Sequence, residues 1–284
     1  MNNMLTCLIT GVVVFCGCWQ DNHRDLQAVL AAASVQYNGP PVNEEFNFVW
    51  SGSDSPDGLW RRSSWVATGN NLFTWDNAEI QSSYAGAAGG VLNLSVLHDQ
   101  YYDAAHNAYH YQGGELQSIG ESGSGFGYGY YEVRMKTTGE SGCCVSFFWI
   151  QAPDYGPEEI DIEFLTNEPW TATSGTVHYT IHPDWAANHT YKTQSLPFNP
   201  SSDFHRYGFL WTPDAISYTV DGQVVQTYSL PSCRNIPRNK GYIMINTWTR
   251  NPDWGGGPPA NKATSVYDWV RFYPGATGVR NEWP

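Results

Sequence analysis

Residues 159–164, Glu159-Ile160-Asp161-Ile162-Glu163-Phe164, alternate acidic and apolar side chains. A strand turns successive side chains to opposite faces. Glu159, Asp161 and Glu163 would therefore share one face, and Ile160, Ile162 and Phe164 the other. Three carboxylates on one face repel each other and force their pKa values apart, a cost that active sites commonly carry. A solvated acidic strand is the plainer reading of the same alternation. The chemistry within reach is glycoside hydrolysis with retention, in which two carboxyl groups about 5–5.5 Å apart act as nucleophile and acid/base. Glu159 and Glu163 would be roughly 13 Å apart at Cα, and long side chains leaning inward over the shorter Asp161 could close much of that gap. Asp161 could hydrogen-bond one glutamate and tune its pKa. Sugar rings present flat C–H faces that aromatic rings can support. Trp170, Trp185, Trp248 and Trp254 are candidates, the last two within the loop-like run Asn246 to Gly257.

The elements that must position these groups read as strands and turns from about Glu44 to Pro274. Strands are expected over residues 90–96, 128–136, 145–150, 175–182, 206–211, 216–220, 223–228, 241–248 and 265–272, with Asp221-Gly222 as a hairpin turn. No long helical pattern interrupts them. The expected fold is an all-β sandwich of two large antiparallel sheets.

The chain has 284 residues, few lysines and a formal net charge of −13. Nucleic-acid binding needs basic patches, so it is not expected. Cys7, Cys16 and Cys18 precede the body, which holds Cys143, Cys144 and Cys233. That is too few for a disulfide scaffold, and no spacing suggests zinc. Cys233 could bridge to Cys143 or Cys144, or all three could be buried thiols. Leu5 to Phe15 has the length of a secretory h-region and is too short to span a bilayer. Gly17-Cys18 then resembles a bacterial lipoprotein processing site. A lipid on Cys18 would attach the protein to a membrane; a plain cleaved signal peptide is the alternative. The expected layout is a signal segment 1–18, a tether 19–43 holding a short helix around Leu26 to Ala33, a catalytic domain 44–276 and a tail 277–284. The protein is expected to be exported, extracellular or in the cell envelope, and monomeric.

Glu159-Ile160-Asp161-Ile162-Glu163 resembles the Glu-x-Asp-x-Glu signature of glycoside hydrolase family 16, retaining enzymes with a jelly-roll sandwich similar to the legume lectins. Four further stretches resemble the family in the family's order. They are Tyr128 to Lys136, Ser146-Phe147-Phe148, Phe209 to Asp214 with Val220-Asp221-Gly222, and Tyr267 to Arg271. The resemblance covers about residues 45–274. It implies a jelly-roll, concanavalin-like sandwich with a concave substrate cleft, Glu159 as nucleophile, Glu163 as general acid/base and Asp161 as assisting carboxylate. Asn246 and Trp248 match an Asn-x-Trp at the cleft, and Trp254 a following aromatic. Glu115 lies where licheninases carry a substrate-contacting Glu, although Gln117 stands where they carry an Arg. His178 resembles a cleft-facing His of laminarinases; a hydrogen-bonded strand histidine is the alternative. Trp149, on the strand leading into the signature, completes the expected substrate-binding set. Asp268 matches a residue that in many members helps bind a structural calcium, an ion that needs several oxygen ligands. No cofactor is expected for catalysis.

The signature here has no inserted bulge residue, a form typical of licheninases and xyloglucan-active members. The resemblance thus implies internal cleavage of a polysaccharide, with mixed-linkage β-1,3/1,4-glucan favoured. Xyloglucan, another β-glucan or a galactan remain alternatives, as does transglycosylation on the same scaffold. A non-catalytic carbohydrate-binding sandwich would predict loss of one or more of the three acids.

Overall fold

The computed structural model describes residues 8–9, 12–13, 41–67, 71–119, 125–152, 155–183, 189–230, 236–249 and 254–280. The expected signal segment, Cys18 and the helix around Leu26 fall outside the described residues, apart from a two-stranded pair, Leu8–Ile9 with Val12–Val13. So do Trp185 and Cys233. Residues Met1–Ser34 form one unit and Val35–Pro284 another.

The larger unit is a β-sandwich. One sheet runs, in spatial order, Thr190–Leu196, Gly175–His182, Glu159–Leu165, Cys144–Gln151, Gly241–Trp248, Ala108–Ser118, Asn71–Phe73 and Val66–Ala67. Trp60–Arg62 and Gln100–Asp103 also pair with Ala108–Ser118. The other sheet runs Gln223–Ser229, Ala215–Val220, His205–Trp211, Gly129–Lys136, Ala263–Pro274, Val91–Val96 and Ala78–Gln81, with Val42–Glu44 on Ala263–Pro274. The ladders are antiparallel except where Ala108–Ser118 meets Asn71–Phe73 in parallel, a departure from the purely antiparallel expectation.

The core between the sheets is aromatic. Trp149 packs on Trp211 (ring centroids 4.6 Å apart), Phe164 on Tyr207 (4.7 Å) and Tyr179 on Tyr218 (4.3 Å). Polar tips of buried tyrosines reach across and find partners, as buried hydroxyls must. Tyr218 Oη donates to the Thr180 carbonyl (2.9 Å) and Tyr267 Oη to the Asn246 carbonyl (2.9 Å). The second sheet thus grips the backbone of Gly175–His182 and Gly241–Trp248, in the sheet that carries the acids.

Trp149 belongs to this core and not to a substrate site. It is fully buried, and its Nε1 donates to the Phe126 carbonyl (3.1 Å). The reason is parity. On Cys144–Gln151 the even positions Phe148 and Ile150 face outward, so Trp149 must face inward. The expectation that it touches substrate is corrected accordingly.

Candidate active site

Ile160, Ile162 and Phe164 are fully buried in the core, which turns Glu159, Asp161 and Glu163 to the outer face of the first sheet. The antiparallel registers then line up a row of side chains across five strands. Glu163 stands opposite His178 on one side and Ser146 on the other, Ser146 opposite Asn246, and Asn246 opposite Glu115. The register through Glu159–Leu165 is continuous on both sides, with no bulge.

Each acid has a distinct environment. Glu163 Oε1 accepts from Trp254 Nε1 (3.3 Å) and from the Cys144 thiol (3.3 Å). Burial, and then the charge of Glu163, push the Cys144 pKa well up, so it stays a thiol and remains a donor. Asp161 Oδ2 lies 3.3 Å from His182 Nε2. Asp161 Oδ1 is buried without a hydrogen-bond partner among the described residues. All three pKa values are raised, and burial is the largest cause in each. For Glu159 the charge of Asp161 adds to burial, and for Asp161 the charge of Glu163 does. For Glu163 the Cys144 and Trp254 donors and the charges of His178 and His182 oppose it. The cluster holds protons in the range where isolated carboxyls would have lost them.

A cleft of ≈ 870 Å³ opens on the Glu159 side of this row, and Glu115, Asn246 and Trp248 line it. That volume lies in the ~300–1,000 Å³ range of ligand sites. Glu115 is almost fully buried and accepts from Trp65 Nε1 (2.8 Å) and Asn246 Nδ2 (3.1 Å). It holds those two side chains in position at the cleft. Gln117, the departure from the licheninase pattern, accepts from the Tyr155 hydroxyl (2.7 Å). Glu158, next to the signature, is occupied elsewhere: its Oε2 accepts from the backbone N–H groups of Arg238 and Asn239 (2.8 Å each).

His178 lies on the right face but is only 3% exposed. Its Nε2 donates to Glu168 (2.7 Å), and its Nδ1 lies 2.5 Å from the Tyr191 hydroxyl. Both nitrogens are taken, as in the hydrogen-bonded strand histidine of the two readings, and the Trp254 ring packs edge-on against it (centroids 5.8 Å apart). Asn246 and Trp248 end a strand, Gly241–Trp248, and are not in a loop. Trp254 does sit on a turn. Gly255 and Gly256 have φ of +78° and +90°, and a Cβ on Gly255 would come within 2.9 Å of the Cys143–Cys144 backbone. Only glycine lets that turn press against the sheet and set Trp254 over Glu163.

Asp268 does not fit a calcium site. Its Oδ1 accepts from the Ala88 N–H (3.0 Å), and its Oδ2 is paired with the Arg134 guanidinium. The same Arg134 nitrogen also donates to the Gly86 carbonyl (3.0 Å). A positive charge from within the chain already bridges the oxygens that a calcium ion would use.

Sequence reasoning missed Trp65, Trp75 and Tyr155 at the cleft, all more than two-fifths exposed. The signal for the first two was the tryptophan-rich stretch Trp50, Trp60, Trp65, Trp75 ahead of the first expected strand. Cys143 and Cys144 are buried free thiols.

A family model described as "Glycosyl hydrolases family 16" matches residues 65–271. A β-glucanase of Acetivibrio thermocellus is 33% identical over 248 residues, 86% of this chain and 66% of the relative. The chain thus spans just under two thirds of that relative. A β-glucanase of Bacillus subtilis (strain 168) is 30% identical over 278 residues, 96% of this chain and 98% of the relative. Among solved structures, a prokaryotic β-1,3-1,4-glucanase (lichenase) from a mouse hindgut metagenome superposes with a TM-score of 0.66 at 30% identity. That match covers 83% of this chain and 100% of the other.

Proposed function

The chain belongs to glycosyl hydrolase family 16, and from that premise we propose that it is a retaining endo-β-glucanase whose favoured substrate is mixed-linkage β-1,3/1,4-glucan. The observation that carries the reading is that the three acids share the outer face of one strand, with Glu159 at its end lining the cleft. Glu159 attacks the anomeric carbon as Glu163 protonates the departing glycosidic oxygen. Glu163 then takes a proton from the water that hydrolyses the glycosyl-enzyme. Glu159 must be anionic to attack, and Asp161 beside it is the assisting carboxylate. Trp65, Trp75, Trp248 and Tyr155 offer ring faces to the sugars along the cleft.

The uninterrupted register of Glu159–Leu165 supports a β-1,3/1,4-glucan over a β-1,3-glucan. So does the likeness to the hindgut enzyme, which is itself a β-1,3-1,4-glucanase. Tyr155 and Gln117 stand together where licheninases bring an arginine, so subsite preferences there should differ from theirs. Export, with Cys18 as a lipid attachment point, is part of the proposal and rests on the apolar run Leu5 to Phe15 and on Gly17-Cys18. The deciding experiment is a panel of lichenan, laminarin, xyloglucan, agarose and carrageenan with products identified, run with and without an oligosaccharide acceptor. Oligosaccharides released from lichenan well ahead of the other polymers are expected. Preferred cleavage of laminarin or xyloglucan, or acceptor-dependent transfer products dominating, would reject this substrate and reaction.

The Trp254 contact makes a second expectation. Its N–H favours the charged form of Glu163, so Trp254→Phe should raise the Glu163 pKa further. If Glu163 must be protonated to act as acid, the alkaline limb of the kcat/KM profile moves to higher pH, by up to about one unit for one lost hydrogen bond to a charged group. An acid limb that moves instead would mean that Glu163 works as the anion.

A further inference from the structure

Away from the acids, the hairpin of Gln100–Asp103 and Ala108–Ser118 brings three potential metal ligands together at its turn. Asp103, His106 and His110 each offer one ligand atom, and these atoms all lie within 4.8 Å of one another. Asp103 Oδ1 accepts from the Ala105 N–H (2.9 Å), which ties the turn and leaves Oδ2 facing both imidazoles. Oδ2 is hydrogen-bonded to His106 Nδ1 and lies 3.9 Å from His110 Nε2, too far for a hydrogen bond.

His110 is the second and independent observation. It is only 5% exposed, and neither of its ring nitrogens has a hydrogen-bond partner among the described residues. A buried imidazole left this way costs free energy that nearly all proteins avoid. The nitrogen nearest Asp103 points at the carboxylate across a gap that a cation bridging both would fill. His106 keeps a side chain 58% exposed and so gives the ion a way in.

We propose that Asp103, His106 and His110 form a binding site for a divalent transition-metal ion, zinc in the first place. Two imidazole nitrogens and one carboxylate oxygen suit zinc, with a fourth position left to water. Calcium and magnesium prefer all-oxygen shells and are not expected to bind here. Binding takes the place of the hydrogen bond between His106 Nδ1 and Asp103 Oδ2. Glu115 lies five residues beyond His110 on the same strand, about 16 Å away. The ion therefore fastens the hairpin turn and takes no part in hydrolysis.

The test uses the whole chain, stripped with a chelator and titrated with zinc chloride, cobalt chloride or calcium chloride in a calorimeter. Binding of one zinc per chain is expected, with a cobalt spectrum of low-symmetry nitrogen and oxygen ligation and no calcium uptake. Zinc should raise the Tm of the wild type. His106→Ala alters an exposed side chain, and Asp103→Asn keeps an oxygen for the Ala105 N–H, so both should fold with the metal-free Tm of the parent. Each should weaken zinc by at least about tenfold and lose the zinc-dependent rise in Tm. No zinc uptake by the wild type, or uptake unchanged in both variants, would overturn the site.

Discussion

Glu159→Ala should lose at least about 10⁴-fold in kcat on β-glucan, in line with the removal of a covalent nucleophile. Glu163→Ala should lose about 10²–10⁴-fold, the usual contribution of a general acid/base. The size of the loss does not separate the two roles, and the electrostatics of the free protein do not either. Donors and positive charge gather at Glu163, whereas burial and the charge of Asp161 both raise the pKa of Glu159. Azide does separate them. With an aryl oligosaccharide whose leaving group needs no protonation, azide can fill the hole at Glu159→Ala and attack the anomeric carbon directly, giving the α-azide. In Glu163→Ala the sugar still passes onto Glu159, and azide then displaces it with a second inversion, giving the β-azide. The expected outcome is α-product from the Glu159 variant and β-product from the Glu163 variant. The reverse pattern would exchange the roles, and full activity in Glu159→Ala would end the enzymatic reading.

The long, regular strands were the legible part of this fold. Gly175–His182 and Gly241–Trp248 match their expected ranges, and Gly129–Lys136 differs by one residue. Their alternation is unbroken, so period alone finds them. Ala108–Ser118 escaped because Gly113-Gly114 reads as a break. In the fold, Gly114 is there because a Cβ would come within 2.1 Å of the Asn77 carbonyl. Trp60–Arg62 and Asn71–Phe73 are too short to carry a period, and the cleft wall they help build was lost with them. The three acids were legible because their own strand declares its face. His178 was placed on that face correctly, but its duty was decided by Glu168 and Tyr191, one from a turn and one from a strand that sequence had not assigned. Trp149 failed for a related reason: which parity of a doubly buried strand faces the cleft depends on register with its neighbours, and register is a property of the assembled sheet.

Arg134 carries the largest expected effect on stability. Asp268 is 1% exposed, and the guanidinium balances it from a side chain about a quarter exposed. Arg134→Ala leaves the carboxylate buried and without its cation, which should cost about 3 kcal/mol, the lower end for a broken buried pair. Part of that cost also reflects the loss of the guanidinium over the Phe204 ring (4.7 Å from Cζ to its centre) and of the tie to Gly86. Arg134→Met with Asp268→Asn removes both charges and should recover a good part of the loss, because desolvation of the lone carboxylate is the main penalty. The same geometry predicts that millimolar calcium leaves the Tm of the wild type unchanged, since the cation at Asp268 is covalently part of the chain. Urea unfolding of the three proteins, with thermal scans of the wild type with and without calcium, tests both statements. A calcium-dependent rise of several degrees that Asp268→Asn abolishes would mean that the guanidinium yields its place to the ion.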